Sequence, residues 1–389
     1  MTAQADRRAS ARRPGAPIPI TVLTGFLGAG KTSLLNRLLA EEALADAAVL
    51  INEFGEIGID HLLVREVRDG IVMLTSGCLC CTVRGDLVDA LESLLRDLDN
   101  HRLAFGRVVL ETTGLADPAP VLQTLMTHPY LVMRLRLDGV IAVVDAVNGL
   151  VTLDAHPESR KQAAVADRIA LTKTDLADTP DRNAATSTLI ARLRGLNPAA
   201  PILDVAGGEA TAGRLLNCGL YEPGVKIPDV ARWLKEEAYA DAASRHAHGH
   251  AHAHGHEHDV NRHDDHIRAF CLTSDAAIPA ATFDMFLDLI RSLHGPNLLR
   301  VKGVVKIAET PDAPVVIHGV QHVFHPPAAL PAWPDDDRRT RLVFIVRDLE
   351  PKVIRELFGA FIGVAAPDRP DRAALTDNPL VPFGGLAPR

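Results

Sequence analysis

One stretch, Gly25-Phe26-Leu27-Gly28-Ala29-Gly30-Lys31-Thr32, constrains the chain more than any other. It reads G-x-x-x-x-G-K-[ST], the phosphate-binding loop, and its flanks meet the context that pattern requires. Before it runs Ile18–Thr24, an apolar, β-like segment interrupted by Pro19 and Thr21. After it, Ser33–Leu39 is apolar at helical spacing. Glycines allow a tight backbone turn in which successive N–H groups point at phosphate oxygens, and the helix that follows aims its positive end at the same place. Gly25, Gly28, Ala29 and Gly30 are therefore expected around the phosphates. Lys31 is expected to neutralise the β/γ-phosphates, and the Thr32 hydroxyl to ligate Mg²⁺.

A chain of 389 residues that is 47% hydrophobic can bury a full core and divides more naturally into two domains than one. Its formal net charge of −8 gives no basic excess to direct it to nucleic acid or to an anionic membrane. No stretch approaches the roughly 20 apolar residues of a membrane helix. Arg7, Arg8, Arg12 and Arg13 are not followed by an apolar segment, so a secretory or twin-arginine signal is not expected. Of five cysteines, three fall in Cys78-Leu79-Cys80-Cys81, which is no disulfide framework and suits a reducing cytoplasm.

Apolar runs then recur with helical segments between them. Ala47–Ile51 ends in Asn52-Glu53-Phe54-Gly55-Glu56; Ile71–Leu74 leads to the cysteine cluster; Asp86–Leu98 is helical in spacing. Arg107–Leu110 runs into Glu111-Thr112-Thr113-Gly114, Val140–Val144 ends at Asp145, and Arg168–Leu171 leads into Thr172-Lys173-Thr174-Asp175. Ala185–Leu193 is helical and Pro201–Val205 closes the series. Strands apolar enough for burial on both faces, alternating with helices, predict an α/β fold with a mainly parallel sheet, and ligands in such sheets bind at the carboxyl ends of the strands. Each polar motif sits at such an end. The expected division is a tail at 1–17, a P-loop domain at 18–240, a His-rich linker at 241–266, a smaller α+β domain at 267–365 and a Pro/Asp/Gly-rich tail at 366–389. In the second domain the expected strands are Ile267–Leu272, Leu298–Ile307, Val315–His318, Gln321–Phe324 and Arg341–Val346, with helices at Ala281–Leu293 and Pro351–Phe358.

Glu111 follows a buried strand where a phosphate-loop enzyme carries its second acidic residue; it can hold Mg²⁺, and the Gly114 N–H can sense a γ-phosphate. Lys31, Thr32 and Glu111 are thus the catalytic candidates. Thr172-Lys173-Thr174-Asp175 is close to the guanine-reading N-K-x-D pattern: Asp175 supplies the acceptors for guanine N1–H and N2, and the Lys173 stem can cover the base. Thr172 stands where that pattern has Asn, which leaves adenine as the alternative base.

Three thiols in four residues suit a soft or borderline cation, Zn²⁺, Co²⁺ or Cu⁺. On so tight a loop two of Cys78, Cys80 and Cys81 are expected as direct ligands, with Glu56 a further candidate; a redox pair or buried small hydrophobes are the other readings. His246, His248, His250, His252, His254, His256 and His258 alternate along the linker and form interchangeable two- and three-imidazole sites for loose metal capture; a plain solubilising linker is the alternative. His101, His128, His156 and His294 are read as ordinary surface or core residues.

Together and in this order, the phosphate loop, Asn52-Glu53-Phe54-Gly55, Gly77-Cys78-Leu79-Cys80-Cys81, Glu111-Thr112-Thr113-Gly114, Thr172-Lys173-Thr174-Asp175 and the histidine-rich linker resemble the CobW family of metallochaperone GTPases. That group also includes nitrile hydratase activators and has UreG and HypB as more distant relatives. The resemblance spans about residues 18–358. It implies Mg²⁺-dependent GTP hydrolysis, a transition metal on Cys78, Cys80 and Cys81, guanine on Lys173 and Asp175, and a carboxy-terminal domain that meets a client metalloprotein. Zn²⁺ is the expected cargo, with Co²⁺ delivery for cobalamin synthesis or nitrile hydratase activation, and a passive His-rich metal store, as alternatives. A homodimer is compatible with the sequence and not required by it. No water-orienting glutamine follows Gly114, so slow intrinsic turnover is expected.

Overall fold

Continuous apolar strands need cover on both faces, and the first sheet has it. The computed structural model describes residues 17–54, 71–76, 83–176, 179–218, 266–325 and 327–363. Seven strands, β1 (Ile18–Gly25), β2 (Ala47–Phe54), β3 (Ile71–Ser76), β4 (Arg107–Glu111), β5 (Leu135–Asp145), β6 (Arg168–Thr172) and β7 (Ile202–Asp204), pair in the order β3-β2-β4-β1-β5-β6-β7. Every pairing is parallel. Helix α1 (Lys31–Leu39) covers one face, where Leu34, Leu35 and Leu38 pack on Leu23, Val109 and Val143. The other face is covered by α2 (Val83–Asp99), α3 (Ala119–Thr127), α4 (Pro129–Arg134), α5 (Gly149–Ala155), α6 (Pro157–Val165) and α7 (Pro180–Leu196). A single turn, α8 (Ala212–Leu215), closes this part on the α1 side.

Helical spacing in the sequence passes over α3 to α6. They are six to nine residues long, too short to show a periodic apolar stripe. Three of them begin with Pro in the first turn, where the missing N–H costs nothing; that is their start signal.

The second sheet is antiparallel: β8 (Ile267–Ser274), β9 (Leu298–Val305), β10 (Val315–Val320), β11 (Val323–Phe324), β12 (Ala328–Ala329) and β13 (Thr340–Arg347), in the order β11-β10-β9-β13-β8 with β12 beside β10. The strand expected at Gln321–Phe324 begins only at Val323, because Gln321 takes a left-handed φ of 53° in the tight turn after β10. Helices α9 (Ala280–His294) and α10 (Pro351–Phe361) cover one face. There Leu342, Phe344 and Val346 of β13 join Phe283, Phe286, Ile354 and Phe358. The alternate residues Val343 and Ile345, with Ile267, Ala269, Leu299 and Val320, belong to the same core as α3, α6 and α7. The period-two alternation therefore divides β13 between two cores, and the two parts share a continuous apolar interface.

At that interface Asp167, just before β6, meets β9. Its Oδ1 accepts from Arg300 at 2.7 Å and from Lys302, and its Oδ2 accepts the Val140 N–H at 2.9 Å. Arg300 also donates to the Val165 carbonyl at the end of α6. Gln123 of α3 donates to Gln321 at 2.6 Å. The expected tails, and the linker with the seven alternating histidines of 246–258, fall mainly at 1–16, 219–265 and 364–389, outside the described residues.

Candidate nucleotide site

The central strand β1 ends at Gly25, and the loop to α1 turns through positive φ at Gly28 (73°) and Gly30 (94°), where a side chain would be strained. A Cβ at Gly25 would lie 2.4 Å from the Val143 carbonyl of β5. Lys31 is buried and its ammonium donates back to the Gly25 and Phe26 carbonyls at 3.0 and 3.2 Å, so it lies along the loop it serves. Thr32 donates to Glu111 Oε1 at 2.9 Å across 79 positions of sequence. Glu111 stands beside Leu23 in the β1–β4 register, which puts the second acidic residue one strand from the loop. A hydroxyl and a carboxylate side by side are hard oxygen donors of the kind Mg²⁺ takes. Together with the glycine cradle they fit a magnesium-bound nucleotide phosphate.

After Glu111 the chain stays against the loop. Thr112 donates to Thr24 at 2.9 Å, and a Cβ on Gly114 would fall 2.6 Å from the Leu27 backbone. Only glycine permits that approach. Gln162 of α6 donates to the Gly114 and Ala116 carbonyls at 3.3 and 3.0 Å.

Thr172, the last residue of β6, opens the stretch that resembles the guanine-reading pattern. Thr172 donates to the Ala29 carbonyl at 2.6 Å and to Val144 at 3.1 Å, so the position where the pattern has Asn ties the strand end to the phosphate loop. Lys173 takes a left-handed φ of 59°; its ammonium donates to the Gly28 carbonyl at 2.9 Å and to Asp145 Oδ2 at 2.6 Å. Thr174 donates to Asp204 at 2.5 Å, joining this turn to the one after β7, and Asp175 is exposed.

Asp145, noted in the sequence only as a strand end, is the hub of this corner. Besides Lys173 it accepts the Val147 N–H at 2.7 Å and the Asn148 amide at 3.1 Å. Burial opposes its ionisation, yet these bonds, that from Lys173 foremost, hold its carboxyl below the usual range. Its sequence signal was an acidic residue closing an apolar strand. Gln162 carries no such signal. A cavity of about 270 Å³ lies between Phe26–Ala29, Asp145, Gln162 and Lys173.

Glu56, Cys78, Cys80, Cys81 and the histidines of 246–258 lie outside the described residues. Among the described residues no group of three or more His, Cys, Asp or Glu side chains could hold a metal ion. Cys218 is buried, which pushes its thiol up to about 12, and Cys271 is half-buried. His156 stacks on Phe26 of the loop with ring centroids 4.4 Å apart. No helix among the described residues is long and apolar enough to cross a membrane.

A glycine loop at the end of the central strand of a parallel sheet, with lysine, threonine and a neighbouring-strand carboxylate converging on it, defines a P-loop nucleotide-binding protein. The family model for the CobW/HypB/UreG nucleotide-binding domain matches residues 19–204, and that for the cobalamin synthesis protein cobW C-terminal domain matches 267–362. The chain belongs to the CobW family. It is 33% identical to the zinc chaperone YjiA of Escherichia coli, over 88% of this chain and 98% of that protein. It is 28% identical to the zinc chaperone CobW of a Sinorhizobium species, over 91% and 99%. The crystal structure of the Zn(II)-bound YjiA GTPase from E. coli superposes with a TM-score of 0.63 at 29% identity, covering 89% of this chain and 99% of that one.

Proposed function

We propose that this chain hydrolyses GTP and uses the nucleotide state to hold and hand over a transition metal, Zn²⁺ first, to a client protein. The observation that carries the reading is the convergence of Lys31, Thr32 and Glu111 on one glycine cradle, with the Thr32–Glu111 contact at 2.9 Å. The zinc chaperones it resembles along nearly their whole length supply the cargo.

In this reading Gly25, Gly28, Ala29 and Gly30 give N–H groups to the phosphates. Lys31 would leave its carbonyl partners for the β/γ-phosphate oxygens, and Thr32 with Glu111 would hold Mg²⁺, whose charge would offset that of the phosphates. The Gly114 N–H meets the γ-phosphate. Asp175 reads guanine, and Lys173, fixed by Asp145, covers the base. The strands that lead in the chain to Glu56 and to Cys78, Cys80 and Cys81 are β2 and β3. Both end at the carboxyl edge of the sheet, with Phe54 beside Ser76 in register, and the phosphate loop leaves that same edge. GTP therefore orders the cysteine ligands for the metal, and hydrolysis releases them. Metal must then tighten GTP binding by the factor by which GTP tightens metal binding. The carboxy-terminal domain is the client-binding part, and the protein acts in the cytoplasm, alone or as a homodimer.

The test is a titration of Zn²⁺ and Co²⁺ against a chelating dye, with protein lacking residues 246–258 and with Mg²⁺ and either GTP or GDP. Tight stoichiometric binding with GTP only is the expected result. Equal binding in both nucleotide states contradicts the switch, and loss of all binding with the histidines removed points to a passive store.

A further inference from the structure

The loop that carries Gly114 lies against the phosphate loop on one side and is held on the other by α6. Gln162 is 2% exposed, and its Nε2 donates to two carbonyls of that loop, Gly114 at 3.3 Å and Ala116 at 3.0 Å. The orientation of the carboxamide is determined: turned over, it would set its own oxygen against both carbonyl oxygens. Its Oε1, also buried, has no hydrogen-bond partner among the described residues. One residue earlier on the helix, Lys161 pairs with Asp117 at 2.7 Å. Asp117 in turn accepts the Ala119 N–H at the start of α3. At its far end α6 is gripped by the second sheet, through Arg300 on the Val165 carbonyl and on Asp167. A positioning group needs such a rigid support.

The electrostatics give this hold a purpose. A loop presents N–H groups to a phosphate only if its carbonyls are kept from turning towards the phosphate oxygens. The Gly114 N–H shares its peptide unit with the Thr113 carbonyl, which accepts the Ala116 N–H at 3.3 Å; Gln162 holds the Gly114 and Ala116 carbonyls that follow and so fixes the turn that carries that unit.

We propose that Gln162 is a positioning residue for nucleotide hydrolysis, holding the Gly114 and Ala116 carbonyls so that the Gly114 N–H meets the γ-phosphate. This rests on the nucleotide reading above. It predicts an effect confined to ligands that possess a γ-phosphate.

The experiment uses the full chain with Gln162→Met, which keeps length and bulk without the donor. Affinities for Mg²⁺–GDP and for Mg²⁺ with the β,γ-imido analogue of GTP are measured beside kcat and KM. Two hydrogen bonds of ordinary strength imply that the analogue binds roughly fivefold more weakly and that kcat falls roughly tenfold, with GDP affinity within about twofold. Equal loss for GDP and the analogue, or an unchanged kcat, overturns the proposal and leaves Gln162 a packing residue. Should Gln162→Met lose the fold, Lys161→Met decides, since that side chain is only partly buried. A fall in kcat of roughly threefold at unchanged GDP affinity supports the hold of α6, and no change overturns it. Wild-type protein that binds neither nucleotide removes the nucleotide reading itself, a failure distinct from an unresponsive Gln162.

Discussion

The two ends of the parallel sheet each carry a cluster of carboxylates and cations, and they are built for opposite purposes. At the carboxyl end, Lys31, Lys173, Asp145 and Glu111 surround loops that pass through positive φ, and both ammonium groups rest partly on backbone carbonyls. Lys173 is about a third exposed. A carbonyl is a modest partner for an ammonium, and an anionic ligand replaces it with gain. At the amino end, Asp167 is buried with Arg300 and Lys302 from the second sheet, and Asp138 takes Arg107, Thr21 and Asn217. Burial favours the neutral acid at Asp167, but the Arg300 and Lys302 charges hold its carboxyl down at about 2. Burial likewise pushes Lys302 down to about 8. Next to it on β10, buried His318 has neither ring nitrogen hydrogen-bonded among the described residues. Desolvation first, then the neighbouring cations, keeps it neutral well below its ordinary value. The first cluster is poised to exchange partners; the second is closed and holds two domains together.

Removing one charge from each end should separate these roles. On the proposed function, in which the lysine serves the ligand and not the fold, Lys31→Ala should cut kcat/KM for GTP by at least about a hundredfold while the thermal midpoint hardly moves. Activity within tenfold of wild type would break the comparison on the nucleotide side. Asp167→Ala strands two buried cations and should cost roughly 3–5 kcal/mol in denaturant unfolding. The effect has a pH signature. With its folded pKa depressed from 3.8 to about 2, Asp167 contributes stability that is present above pH 4 and is lost as pH falls from about 4 to 2. The stability gap between wild type and Asp167→Ala should close over that window; a gap that persists at pH 2 would show that the carboxylate is not its source. Lys302→Met is the mildest change. It leaves Asp167 and Arg300 as a one-to-one pair and removes an ammonium that burial disfavours, so the cost should stay below roughly 1 kcal/mol. A loss as large as that of Asp167→Ala would make Lys302, not Arg300, the essential partner.

The same contrast explains what was legible in the sequence. The phosphate loop, Glu111 with Gly114, and Lys173 with Asp175 each lie in a short run at the end of an apolar strand, so spacing alone located them. Asp145 was visible as a strand end, but its role depends on Lys173, 28 residues away. Gln162 sits on a nine-residue helix with no periodic stripe and acts on a loop 48 residues earlier. Asp167 and Arg300 are 133 residues apart, and nothing local marks either as a partner. In the second sheet, β13 lacks polar alternation because both its faces are buried, so the run announced a strand but not the interface it makes. Candidate residues carried in contiguous runs could be picked out from sequence; contacts made only by the fold could not.

The most direct test of this division is the shift in melting midpoint produced by Mg²⁺–GDP in wild type, Lys31→Ala and Lys302→Met. At a ligand concentration about a hundredfold above Kd, binding adds roughly 2.7 kcal/mol of stability. The account predicts that shift in wild type and in Lys302→Met, and its loss in Lys31→Ala. A shift that survives in Lys31→Ala and vanishes in Lys302→Met would place the ligand at the wrong end of the sheet and contradict the account.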